Sequence, residues 1–171
     1  MTTTEIVRWA VAGLLTAVLI WAAATDVRVR KIPNWTVLAV LGLFVVWALV
    51  HPLNWDLWAL AAGVIGFAVT FGLYSAGLLG AGDSKMFAAV ALFAGLGHLA
   101  LLALATALVG GVIAAVSLVA RPTRALVMLR LKGKGDFGRG VPYGVAIAAG
   151  AILVVWISVL DLHGPGVSGI F

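Results

Sequence analysis

The chain has 171 residues, 64% of them hydrophobic and only 10% charged, against about half and a quarter in a soluble domain, so a water-soluble globule is excluded and an integral membrane protein expected. Its net charge of +5 comes from 11 Lys and Arg against 6 Asp and Glu, and there is no cysteine, which excludes disulfides, a thiolate nucleophile and Cys-ligated zinc. No polar stretch is long enough for a separate globular unit, so residues 1–171 read as one membrane-embedded domain.

A spanning helix needs about 20 apolar residues at about 1.5 Å rise each, and six candidates follow in chain order. The first covers 6–25. Ala22-Ala23-Ala24 near its end resembles a signal-peptidase site, but the stronger positive cluster follows the run instead of preceding it, which argues against cleavage. The run ends at Asp26, ahead of Arg28, Arg30, Lys31 and the turn Ile32-Pro33-Asn34. The second candidate covers 35–50, with Pro33 starting the helix and Asn34 as its N-cap.

The third covers 57–79 and leads into Gly80-Ala81-Gly82-Asp83-Ser84-Lys85. The fourth, 86–96, is short: ~11 residues reach about half of a ~30 Å hydrocarbon core. Segment 80–85 is therefore expected to dip below the headgroups as irregular backbone in a protein-lined pocket. Gly80 and Gly82 would allow positive φ and close helix approach there, and Lys85 would snorkel to the interface. The fifth candidate covers 99–120 and the sixth 141–160. The expected fold is all-α, six transmembrane helices in one bundle.

Cytoplasmic loops collect Lys and Arg. Arg28, Arg30 and Lys31 follow the first helix, Lys85 precedes the fourth, and Arg121, Arg124, Arg130, Lys132, Lys134 and Arg139 lie between the fifth and sixth. The alternate loops carry none, and only Arg8 falls elsewhere. Six crossings with both ends outside satisfy this pattern. Asp26 and Asp83 then share the cytoplasmic face, whereas Glu5, Asp56 and Asp161 map to the other, and Asp136 sits among basic loop residues.

An acid at the membrane edge is expensive and by default marks function. Two that can meet suit an aspartyl hydrolase: neighbouring carboxyls share a proton, the ionised one activates a water, and the protonated one polarises the scissile carbonyl. Such a site needs no metal and no cofactor. The histidines His51, His98 and His163 have no ligand spacing, and Lys132-Gly133-Lys134-Gly135-Asp136 lacks the phosphate-loop pattern. The basic segment from Arg121 to Arg139 reads as a contact for anionic lipid, with no nucleic-acid partner expected.

Asp26 with the following Ile32-Pro33-Asn34, then Gly80-Ala81-Gly82-Asp83-Ser84-Lys85, and finally Val141-Pro142-Tyr143-Gly144 resemble the type IV prepilin peptidase family of Gly-x-Gly-Asp membrane aspartyl peptidases over nearly the whole chain. The resemblance implies Asp26 and Asp83 as the catalytic pair, with Gly80, Gly82, Lys85, Pro33 and Asn34 as supporting residues. It implies a prepilin or pseudopilin precursor as substrate, cut between its basic leader and apolar stem at the cytoplasmic face of the inner membrane. The paired Cys-x-x-Cys region of the bifunctional members is missing, so the compact, peptidase-only branch associated with Flp-type pili is the nearer likeness.

Two alternatives stand beside it. Signal-peptide-peptidase and presenilin-like proteases share Gly-x-Gly-Asp but carry Tyr-Asp on the first catalytic helix, whereas Thr25 precedes Asp26 here. A proton-coupled transporter would use paired acids as a relay, but no acid marks the midplane. Oligomeric state is not legible.

Overall fold

The computed structural model describes residues 2–50, 53–120 and 142–161. The basic segment from Arg121 to Arg139, with Asp136, and the histidines His51 and His163 lie outside the described residues. Within them the chain is all-helical: α1 (Thr3–Val29), α2 (Asn34–Ala48), α3 (Leu53–Ser75), α4 (Ala81–Ala120) and α5 (Tyr143–Asp161).

Helix α1 opens on a capping box in which Thr2 Oγ1 accepts from the Glu5 amide at 3.3 Å and Glu5 Oε2 accepts from the Thr2 amide at 2.7 Å, satisfying two donors that a helix start leaves free. It continues past the apolar run to Val29, so Asp26 lies inside its last turn and not beyond its end. Arg30 stops it in the left-handed conformation, φ 56°, and its amide donates to the Asp26 carbonyl at 2.9 Å. Pro33, at φ −64° and ψ 140°, is the N-cap of α2. Asn34 is therefore the first helical residue and not the cap, and the Thr36 hydroxyl donates to the Pro33 carbonyl at 2.6 Å.

Helix α3 ends in a Schellman turn: Leu78 N–H donates to the Leu73 carbonyl and Gly77 N–H to that of Tyr74, with Gly77 at φ 76°. This early stop lets α4 begin at Ala81, so Ala81 to Lys85 form its first turn and the expected irregular dip is absent. Gly80 and Gly82 do not have positive φ; among the described glycines only Gly77 and Gly95 do. The fourth candidate span gains about a turn at its start, which lessens the shortage that called for a recess.

As one straight rod the 40 residues of α4 would reach about 60 Å, twice a bilayer core. Gly95 interrupts it at φ 59° and ψ −179°, a conformation nearly restricted to glycine. On one side of the break, Gly63 faces Leu92 and Ser84 bonds to Thr70, so the first arm runs antiparallel to α3. On the other, Gly150 faces Leu102 and Thr106 while Gly110 faces Tyr143 and Ala146, so the second arm runs antiparallel to α5. Helix α4 is a hairpin of two arms. Four of the five helices are long and apolar enough to cross a membrane and α2 is shorter, so the expected six spans do not appear as six separate helices.

The core lies between α1, α2, the first arm of α4 and α5, around Leu15, Leu19, Trp47, Met86, Phe93, Ile147 and Val154. Phe93, two residues before the break, meets Phe44 edge-on at 5.5 Å and Trp47 at 5.9 Å. Helix α3 joins through small residues instead: Ala59, Ala62, Gly63 and Gly66 are buried, and a Cβ on Gly66 would come within 3.0 Å of that of Ala91. Lipid tails are as apolar as Leu, so close backbone approach is what holds such a pair. The large side chains of α3, Val64, Phe67 and Val69 among them, point outward.

Candidate active site

Two acids are buried among the described residues, Asp26 at 6% exposure and Asp83 at 8%. They come from separate motifs of the sequence, yet Asp26 stands close enough for its charge to act on Asp83. Burial of two acids within electrostatic reach is costly in any packed structure, and more so in one built for a bilayer. Each is held by the free amides of a helix start.

Asp83 is the third residue of α4, following Gly80 at the N-cap position. From there its carboxylate folds back within hydrogen-bonding reach of the Gly80 amide, the acidic half of a capping box. A Cβ on Gly80 would sit 2.8 Å from Asp83 Oδ2, so a larger residue there would push the carboxylate aside. Gly82 serves differently. A Cβ there would be 3.3 Å from that of Ile32, so Gly82 lets the turn after α1 lie against the start of α4.

Asp26 reaches across to another helix. Gly144, second residue of α5, donates its amide to Asp26 Oδ2 at 2.9 Å. A helix N-terminus presents unpaired amides, and α5 presents one to a carboxylate 118 positions earlier in the chain. Arg30 adds a positive charge acting on Asp26 from the turn that ends α1.

Of the expected supporting residues, Gly80 and Gly82 lie against the pair in this way. Pro33 is half-buried and shapes the turn, while Asn34 and Lys85 are exposed. Gly144 was legible only as part of a helix start after Pro142; its contact with Asp26 is tertiary. Ser84, beside Asp83, is also buried and donates to the Thr70 carbonyl at 2.9 Å and to that of Gly80 at 3.3 Å. Among the described residues no group of three or more His, Cys, Asp or Glu side chains converges to hold a metal ion.

The arrangement brings two buried carboxyls within electrostatic reach of one another, with glycine backbone close about them. A sequence model of the type IV leader peptidase family matches residues 13–115, a segment that includes both acids. No curated protein and no solved structure matches the chain.

Proposed function

Since the chain belongs to the type IV leader peptidase family, we propose that it is a membrane aspartyl endopeptidase that removes the basic leader from prepilin-like precursors at the cytoplasmic face of the inner membrane. The observation that carries this reading is the pair Asp26 and Asp83, buried together in a chain whose other described acid side chain, Glu5, caps a helix. With the two arms of α4 counted separately and α2 included, this reading has six crossings, with Arg28, Arg30, Lys31 and Lys85 on the side of the acids. That side is the cytoplasmic one by the distribution of positive charge.

In the reaction, the ionised carboxyl takes a proton from a bound water as its oxygen attacks the scissile carbonyl carbon, and the protonated carboxyl donates to the carbonyl oxygen. The tetrahedral intermediate then collapses, the C–N bond breaks, and the leaving amine takes up a proton from the pair. Neither metal nor covalent enzyme intermediate is used. The substrate is a precursor whose apolar stem lies in the membrane beside the helices and whose leader stays in the cytoplasm.

The test is co-expression with a precursor carrying a basic leader, a Gly and then a continuous apolar helix. Its mass should fall by that of the leader in the presence of the wild-type chain. A precursor that keeps its full mass beside a stably inserted wild-type chain would overturn the proposal.

A further inference from the structure

We infer that Gly144 is a positioning residue of the peptidase site, its backbone amide fixing the Asp26 carboxylate and its missing side chain leaving that carboxylate the room to face Asp83. The inference rests on the reading of Asp26 as catalytic. It adds a contact from α5, a helix that lies outside the matched residues 13–115.

Three observations carry it. The Gly144 amide donates to Asp26 Oδ2 at 2.9 Å in a buried bond. Gly144 has no positive φ, so backbone conformation does not demand glycine there. Space does: an added Cβ would fall 2.8 Å from Asp26 Oδ2 and 3.0 Å from both Cβ and Cγ. Rotation of the carboxylate could relieve the first contact, but the Asp26 Cβ is fixed to α1, so relief of the others requires the start of α5 to move away from α1. A shift of even a few tenths of an ångström there would lengthen the amide bond and turn the carboxylate out of the position that bond gives it. Misplacement of a reacting group by about 1 Å costs up to ~100-fold in rate, and loss of an orienting hydrogen bond costs similar factors at other sites.

The other end of α5 is anchored independently. Trp156 Nε1 donates to Thr16 Oγ1 at 3.1 Å and its ring packs edge-on against Trp9 at 5.5 Å. The helix therefore stays docked on α1 while its first turn shifts, which separates positioning from folding.

The test compares kcat, KM and thermal midpoint for processing of a purified precursor in detergent micelles by wild type, Asp26→Asn, Gly144→Ala and Gly111→Ala. Gly111 has open space where its Cβ would go. Asp26→Asn should be inactive, Gly111→Ala should match wild type, and Gly144→Ala should lose about 10- to 100-fold in kcat with KM and midpoint held. Wild-type kcat in Gly144→Ala beside an inactive Asp26→Asn overturns the inference and leaves the catalytic reading standing. An active Asp26→Asn removes that reading itself. A fall in kcat matched by a risen KM and a lowered midpoint assigns Gly144 to packing alone and also overturns the inference.

A second measurement does not need the Gly144 variant to fold. Of the two tyrosines, Tyr74 precedes Ser75 and Tyr143 precedes Gly144, so carbonyl-labelled tyrosine with nitrogen-labelled glycine isolates the Gly144 amide in a magnetic resonance spectrum. Asp26→Ala removes the acceptor and should move that amide proton upfield. An unmoved resonance overturns the inference.

Discussion

The Ser84 hydroxyl on α4 donates to the Thr70 carbonyl on α3 at 2.9 Å, while the Thr70 hydroxyl lies 3.4 Å from the Ser84 carbonyl. The residue next to Asp83 thus ties the first arm of α4 to α3 at the level of the site. Since α3 otherwise attaches through glycine and alanine contacts, this reciprocal pair is its polar fastening.

Removing it should loosen the arm that carries Asp83. Ser84→Ala is expected to lower stability by about 0.5–1.5 kcal/mol, measured by steric trapping or by thermal aggregation in detergent, and to reduce turnover without abolishing it. A variant as stable as wild type would show that small-residue packing alone sets the position of α3.

Asp26→Asn and Asp83→Asn should each reduce processing by at least about 100-fold, because each removes a titratable partner with almost no change in volume. Both proteins should insert and extract as folded species. Asp136→Asn, in the basic segment from Arg121 to Arg139, should process its precursor normally. Turnover at wild-type rate in either of the first two, followed on a co-expressed precursor, would rule out the two-carboxyl mechanism.

Orientation rests on charge and is open to direct labelling. Cysteines introduced singly at Arg30 and Gly97, both exposed, should differ: the first shielded from an impermeant thiol reagent outside intact cells, the second reactive. The native chain has no thiol to interfere. Labelling of position 30 from outside would invert the topology and remove the site from the cytoplasmic face.

The substrate should carry a Gly just before the cut. Asp26 and Asp83 are hemmed by backbone at Gly144, Gly80 and Gly82, so a bulky side chain beside the scissile bond has little room. A precursor with Leu in that position should be processed at least about 100-fold more slowly, read from pulse-chase gels. Equal rates for the two would show that the pair is approached from a more open side.

Much of this was legible in the sequence because apolar length and Lys/Arg placement are strong signals in membrane chains. The first, second, third and last candidate spans correspond to α1, α2, α3 and α5 with ends shifted by a few residues. The shifts have causes. Helix α1 runs beyond the apolar residues because Arg28 is compatible with a final turn, and α3 begins before its apolar stretch because Asn54 and Asp56 are tolerated near a helix start. The gap between the fourth and fifth candidate spans marked the break in α4, but only the structure showed that Gly95 makes it. The motif glycines were read as sources both of backbone freedom and of close helix approach, and only the second holds. Their conformations are ordinary, and it is room that they provide, which no local pattern encodes. The bond from Gly144 to Asp26 depends on how α5 docks, and neither residue type nor spacing could announce it.

The docking of α5 against Asp26 also sets a schedule. The two partners are 118 positions apart, so at ~5–20 residues per second of synthesis Asp26 waits roughly 6–24 s for the amide that holds it. Asp83 and its arm are in place well before. A nascent chain stalled or truncated ahead of α5 would carry both acids and all of the matched segment, yet leave Asp26 without its cross-helix bond. Hydrolytic competence therefore comes late in the making of each molecule, when the last helix arrives.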